Sequence, residues 1–278
     1  MAEALETRSF ELVENSNDLL AIVSHELRTP ITVILGWVEL LSQQRGNHAI
    51  IPRAVEVIKR NAQAQQSLID ELLDYSRITA NKFTLTSRPV SLRSIIRAAI
   101  EDLAPIAREK SIETEMDLGS SEDVIGSSED VIGSSDDVIG SSEDVILGDS
   151  LRLHQVFTNL LTNAIKFSER GGKIKVKLET RHGYHTIVVS DRGEGISPKS
   201  IPFVFDRYLQ AERRGRPDGL GLGLTIARHI IELHGGTIEA SSRGKGYGAI
   251  FTVQLPTSLL PTSLKDDNRN DGLTPTMG

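Results

Sequence analysis

Residues 5–80 carry an apolar pattern with a period of seven, and that pattern limits the fold more than any other feature. Val13, Leu20, Leu27, Ile34 and Leu41 recur every seventh position, with Ile31 and Val38 forming a second stripe four residues on. After the turn-forming stretch Arg45-Gly46-Asn47-His48, a second run (Ile51, Val55, Ile58, Ala62, Ile69, Leu72) keeps a 4–3 spacing, interrupted at Gln65. Such spacing places apolar side chains along one seam of a helix. The reading is an antiparallel hairpin of two helices. One hairpin leaves too much of its seam in water, so two chains are expected to close a four-helix bundle, making the protein a homodimer.

Beyond Asn81 the period changes. Strand-like stretches at 84–86, 112–117, 174–179, 185–190, 237–241 and 249–255 alternate with helical ones at 92–110, 151–167 and 222–234. This order predicts an α/β domain with a mixed sheet. The fold class expected for the chain is therefore α+β in two domains. After Leu255 the chain turns polar and proline-bearing, so 258–278 read as a disordered tail or a linker.

Residues 119–146 are four copies of Gly-Ser-Ser-(Glu/Asp)-Asp-Val-Ile. A glycine in every heptad costs a helix about 1 kcal/mol per copy, so the repeat reads as a flexible acidic insert and not as a coiled coil. Its eight acids dominate the formal charge: without them −7 becomes +1, and overall acidity carries no message about a partner. No basic, aromatic-rich patch points to nucleic acid. The chain has no cysteine, which excludes disulfides and thiolate metal sites. The sequence shows no apolar run of membrane-spanning length and no signal-peptide pattern, so no direct membrane insertion and a cytoplasmic location are expected.

Four local patterns carry chemistry. Ser24-His25-Glu26-Leu27-Arg28-Thr29-Pro30 lies in the first helix, with Leu27 on the seam and His25 at its flank. Histidine is neutral near pH 7 without perturbation and is a competent nucleophile. Glu26 can take the proton of one ring nitrogen and sharpen the other, although adjacent helical residues do not face each other. Thr29, four residues on, shares the face of His25 and can position a water beside it. Pro30 removes a helical hydrogen bond from the Glu26 carbonyl and predicts a pliable point.

In Asn159-Leu160-Leu161-Thr162-Asn163-Ala164-Ile165-Lys166-Phe167, the two asparagines leave one helical face. An amide oxygen suits Mg²⁺. Asp191-Arg192-Gly193-Glu194-Gly195-Ile196 follows a strand. Its carboxylate accepts only, as recognition of an exocyclic amine requires, and its glycines allow close backbone approach. Gly219-Leu220-Gly221-Leu222-Gly223-Leu224 opens a helix, a setting for phosphate, but it is neither a Walker A loop nor a dinucleotide fingerprint. Between these two lies a basic, polar stretch with Arg213, Arg214 and Arg216 that reads as a lid. Gly244-Lys245-Gly246-Tyr247-Gly248 reads equally well as a hairpin turn or a ligand loop.

In this order the motifs resemble those of sensor histidine kinases of two-component systems, close to the cytosolic core of bacterial hybrid kinases, cyanobacterial ones among them. The histidine segment is similar to the H-box, the later patterns to the N, G1, G2 and G3 boxes, and Ile201-Pro202-Phe203-Val204-Phe205-Asp206-Arg207 to the F box. The resemblance implies a signalling helix or linker over 1–18, a dimerisation and histidine phosphotransfer domain over 19–82, and a Bergerat-type α/β sandwich over 88–257 that binds ATP. It implies catalytic roles for His25, Glu26 and Thr29. Nucleotide contacts would come from Asn159, Asn163, Lys166, Phe167, Asp191, Gly193, Gly195, Arg207, Gly219, Gly221 and Gly223, with Mg²⁺ on Asn163. The expected activity is ATP-dependent autophosphorylation on His25 and transfer to an aspartate of a response regulator receiver domain, with dephosphorylation of that regulator as a second activity. An upstream sensor domain is a further expected partner. A plain ATPase would have no use for the histidine segment, and a bare scaffold none for the nucleotide motifs.

Overall fold

The computed structural model describes residues 2–43, 48–118, 144–206 and 220–257. The chain divides into two compact units, one of residues 1–84 and 202–229, the other of 85–201 and 230–278.

In the first unit, α1 (Ala2–Gln43) and α2 (Ile51–Thr79) form the expected helical hairpin. A short 3₁₀ turn at His48–Ile50 leads into α2, whose second residue is Pro52, where the missing N–H costs nothing. The rest of the connection lies outside the described residues. α1 runs through Pro30 as one helix. Among the described side chains of the hairpin, those buried within the single chain are Val23, Glu26, Pro30, Ala54, Asp74 and Tyr75. Leu27, expected to be buried, is only half-covered, as are Ile34 and Leu41. Leu35, Val38, Val55 and Leu73 stand in water at 49–61% exposure. An isolated hairpin therefore leaves an apolar seam open along both helices.

α2 ends at a left-handed residue, Asn81 (φ 52°), with the Lys82 amide bonded to the Arg77 carbonyl. This hydrogen-bonded stop satisfies carbonyls that the helix would otherwise orphan. Phe83 follows, buried, with its ring edge-to-face against His229 at 5.8 Å.

In the second unit, five strands form one sheet in the order β2-β4-β5-β7-β6: β2 Glu113–Asp117, β4 Lys173–Arg181, β5 Tyr184–Asp191, β6 Thr237–Ser241, β7 Ile250–Pro256. Only β2 and β4 are parallel, so the sheet is mixed. Alternation along the strands puts Ile174, Val176, Leu178, Ile187, Val189, Phe251, Val253 and Leu255 on the buried face. The buried stripes of α3 (Leu92–Glu109) and α4 (Ser150–Phe167) repeat at three- and four-residue intervals: Leu92, Ile95, Ile96, Ala99 and Leu103 on one, Leu153, Val156, Phe157, Leu160 and Leu161 on the other. Each of the Leu, Ile, Val and Phe side chains among them contributes about 1.5–3 kcal/mol on burial.

A separate two-stranded sheet pairs β1 (Arg88–Ser91) with β3 (Val145–Gly148), antiparallel. Neither strand is evident in the sequence pattern, and both correct it. The strand expected at 84–86 does not form; the Thr86 amide instead donates to Asp149 Oδ2 at 2.9 Å. The last copy of the acidic repeat is not all loop. Its Asp144 is 2% exposed and accepts from Ser91 Oγ (2.8 Å) and the Arg93 amide (3.1 Å), capping α3. Its Val145 and Ile146 lie in β3, Ile146 buried. The rest of the repeat, 119–143, lies outside the described residues, as does 258–278.

Candidate functional site

On α1, His25, Glu26 and Thr29 come together. The His25 side chain is 69% exposed and that of Glu26 9% exposed, yet Nδ1 of the imidazole lies 3.3 Å from Glu26 Oε1. The helix thus accommodates a contact between sequence neighbours, because the carboxylate lies against the hairpin while the ring stands out from it. A carboxylate can only accept. It therefore selects the tautomer with its proton on Nδ1 and leaves the Nε2 lone pair directed elsewhere. Thr29 Oγ1 donates back to the His25 carbonyl at 3.1 Å. Its proton is thus already used, and its oxygen remains able only to accept. His25, Arg28, Thr29, Thr32 and Val33 line a shallow open depression of about 260 Å³ on this face.

The second cluster lies in the other unit. α4 begins at Asp149, whose Oδ1 caps the Arg152 amide and whose own amide donates to His234 Nε2 at 3.0 Å. His234 is 3% exposed, and its Nδ1 contacts the Ile230 carbonyl at 2.8 Å. With one nitrogen donating and the other accepting, the ring is neutral, and burial pushes its pKa down.

Asn159, Asn163 and Lys166 follow one another at i, i+4 and i+7 on α4, half-buried, with Phe167 next in sequence. The Asn163 amide has no hydrogen-bond partner among the described residues. Lys166 Nζ sits over the Phe167 ring, 5.4 Å from its centroid.

Asp191 ends β5. Its Oδ1 accepts from the Gly193 amide (2.8 Å) and the Ala249 amide (3.2 Å), and the residue is 8% exposed. Burial raises its pKa, and the two amides work against that rise. With Oδ1 saturated, Oδ2 is the acceptor left for a ligand.

The glycines on either side are required by contact. A Cβ on Gly193 would lie 2.1 Å from the Phe167 carbonyl oxygen, and one on Gly248 would lie 2.0 Å from the Asp191 oxygen. The two glycine loops are stitched together by Gly246 N to Glu194 O (2.7 Å) and Gly248 N to Gly193 O (3.0 Å). Ser242 Oγ accepts from the Ile196 and Gly244 amides and donates to the Gly248 carbonyl. The Gly244–Gly248 stretch is therefore a brace for the Asp191 loop. The sequence offered no way to see this, because Ser242, Gly248 and Ala249 act through backbone contacts 46 to 58 residues distant.

Of the remaining expected site residues, Gly221 (φ 67°) and Gly223, the first residue of α5 (Gly223–Leu233), belong to the first unit. There Thr225 Oγ1 donates to the Phe205 carbonyl at 2.9 Å, tying the start of α5 to the segment before the expected lid. Arg207, Gly219 and the lid arginines lie outside the described residues.

Residues 15–81 match the model of the His Kinase A (phospho-acceptor) domain, and residues 148–259 that of the histidine kinase-, DNA gyrase B- and HSP90-like ATPase. Hybrid signal transduction histidine kinase D of Dictyostelium discoideum is 33% identical over 88% of the chain, which covers 18% of that protein. Among solved structures, full-length ShkA in complex with AMPPNP is 25% identical, with a TM-score of 0.58, over 86% of this chain and 45% of that one. Histidine kinase ThkA in complex with the response regulator protein TrrA has a TM-score of 0.60 at 21% identity, over 91% and 65%, and shares the fold.

Together these define a phosphoacceptor hairpin followed by an ATPase-type domain. The chain belongs to the sensor histidine kinases of two-component systems and carries their core. It spans about a quarter or less of the length of the first curated relatives it matches.

Proposed function

We propose that this chain moves the γ-phosphoryl group of ATP onto His25 and then onto an aspartate of a response regulator receiver domain. The observation that carries the reading is the pairing of an exposed imidazole with a buried carboxylate. Glu26 holds the Nδ1 proton, so the Nε2 lone pair attacks the γ-phosphorus in line. The N–P bond forms, the bond to the bridging oxygen breaks, and ADP leaves with that oxygen. Glu26 offsets the positive charge that the ring acquires. In the second half-reaction a receiver carboxylate attacks the same phosphorus, and the N–P bond electrons return to Nε2.

The nucleotide reading assigns the adenine amine to Asp191 Oδ2 and phosphate to Lys166, with Gly193 and Gly195 letting the backbone come close. Asn159, Phe167, Arg207, Gly219, Gly221 and Gly223 complete the proposed set. Asn163 is the proposed Mg²⁺ ligand. It fits because its amide is uncommitted and because no cluster of three acids or histidines exists among the described residues that would bind the ion apart from nucleotide. Mg²⁺ would neutralise charge on the transferring phosphoryl group. The open seam of α1 and α2 supports a homodimer through a four-helix bundle. The domain limits 19–82 and 88–257, a hinge at 79–84, an upstream sensor domain and a cytoplasmic setting belong to the same proposal; no helix among the described residues is long and apolar enough to cross a membrane.

Dephosphorylation of the regulator is proposed as a second activity, with Thr29 Oγ1 accepting from the attacking water. Incubation with γ-labelled ATP tests the main reading: label should enter the protein in an acid-labile, alkali-stable bond. Release of phosphate without protein labelling would favour a plain ATPase.

A further inference from the structure

The last four carbonyls of a helix have no partner within it, and at the C-terminus of α4 all four are accounted for. Ala164 O takes the Ser168 amide (3.1 Å), and Phe167 O takes the Glu194 amide from the Asp191 loop (3.1 Å). The two between them, Ile165 O and Lys166 O, both take Lys110 Nζ, at 2.8 and 2.9 Å. Lys110 comes from the end of α3, 55 residues earlier in the chain. Its own backbone is held on both sides: its amide donates to the Ile106 carbonyl, and its carbonyl accepts from Gly171. The side chain therefore reaches α4 from a fixed root.

We propose that Lys110 is a positioning residue for the nucleotide site. Resting on the kinase reading above, it acts through two named neighbours. It fixes the helical turn that carries Lys166 and Phe167. Through Phe167 O it also sets the height of the Gly193-Glu194 backbone, which has no slack because a Cβ at Gly193 would meet that same oxygen at 2.1 Å. Its charge has a second effect. The C-terminal end of a helix carries partial negative charge, which repels an anion. An ammonium seated on two of the carbonyls offsets that charge where a triphosphate must approach Lys166. Removing it both loosens the turn and restores the repulsion, so the loss falls on binding of nucleotide more than on the chemical step.

The test compares K110M, K110Q and K110R with the parent chain. Three quantities are read: the Kd of Mg²⁺ and the fluorescent analogue TNP-ATP at 20 °C, the KM and kcat for His25 labelling, and the melting temperature. K110M should raise Kd and KM about five- to tenfold with kcat little changed. K110Q, which keeps an amide NH2 donor group but no charge, should fall between, and K110R should recover most of the affinity. A merely structural lysine would lower the melting temperature and leave Kd at 20 °C unchanged in K110M, which overturns the proposal. If K110M does not fold, equal affinities of K110Q and K110R overturn it instead. Failure of the parent chain itself to bind TNP-ATP would sink the kinase reading, a distinct outcome.

Discussion

His25 Nδ1 and Glu26 Oε1 stand 3.3 Å apart, the imidazole in solvent and the carboxylate against the hairpin. In the proposed reaction the pair divides the labour of a nucleophile between two adjacent residues. Replacing the carboxylate by an amide, E26Q, removes the charge that favours the Nδ1–H tautomer and stabilises the ring cation. Autophosphorylation should fall by about 100-fold or more, the usual worth of a positioned acid–base group. TNP-ATP affinity should stay within twofold. The check is the initial rate of label incorporation at saturating ATP.

Thr29 is predicted to separate the two activities. Its hydroxyl donates to the His25 carbonyl and so is not needed to hold the imidazole. T29A should label at near the parental rate but remove phosphate from the phosphorylated regulator at least tenfold more slowly, a rise of about 1.4 kcal/mol in the barrier. Equal dephosphorylation rates would refute the role given to this residue.

Asp191 should set base selection. With Oδ1 held by two amides, D191A removes the acceptor at Oδ2 and leaves the Gly193 and Ala249 amides unsatisfied. ATP affinity should drop by about tenfold to 100-fold, the worth of a charged hydrogen bond. The advantage of ATP over GTP should shrink with it. Competition of each nucleotide against TNP-ATP measures both.

Two buried histidines predict the pH dependence of stability. Burial lowers the pKa of His185 and of His234 in the fold, while the unfolded chain titrates near 6.5. Below that pH the unfolded state binds more protons, so stability is whole above about pH 6.5 and is lost as pH falls towards the folded pKa values. The urea midpoint should decline between about pH 7 and 5, and less steeply in a protein lacking His234.

Among the described residues, the acidic repeat meets the fold through Asp144, Val145 and Ile146 of its last copy. D144A removes a cap of α3 and should cost about 1–2 kcal/mol in urea unfolding. Deleting 119–139 keeps Asp144, Val145 and Ile146 and shortens the connection between β2 and β3. It should leave stability equal or higher by about 1 kcal/mol, in line with loop-closure entropy.

The helices and the five-stranded sheet were legible because their burial periods, near 3.6 and 2, are written in Leu, Ile and Val. The β1–β3 pair was not. Pro89 and the exposed Arg88 lack a strand signature, and Val145-Ile146 looked like one more copy of a repeat. Four residues decide that copy's place: the Ser91 hydroxyl and the Leu92 and Arg93 amides receive Asp144, and Leu147 extends the strand. In the candidate site, every nucleotide-site residue named from sequence displays a side chain or a glycine at a recognisable spacing. Lys110, Ser242 and Ala249 went unseen because they work across the fold, on backbone atoms, where sequence spacing carries no signal.

The claim on which the account turns is that His25 accepts phosphate from ATP. The direct measurement is mass spectrometric mapping, under neutral or alkaline conditions, of the chain after incubation with ATP and Mg²⁺. One phosphoryl group per labelled chain is expected, on the peptide containing His25, and none in H25Q. Phosphate on another residue, or undiminished labelling of H25Q, would contradict it.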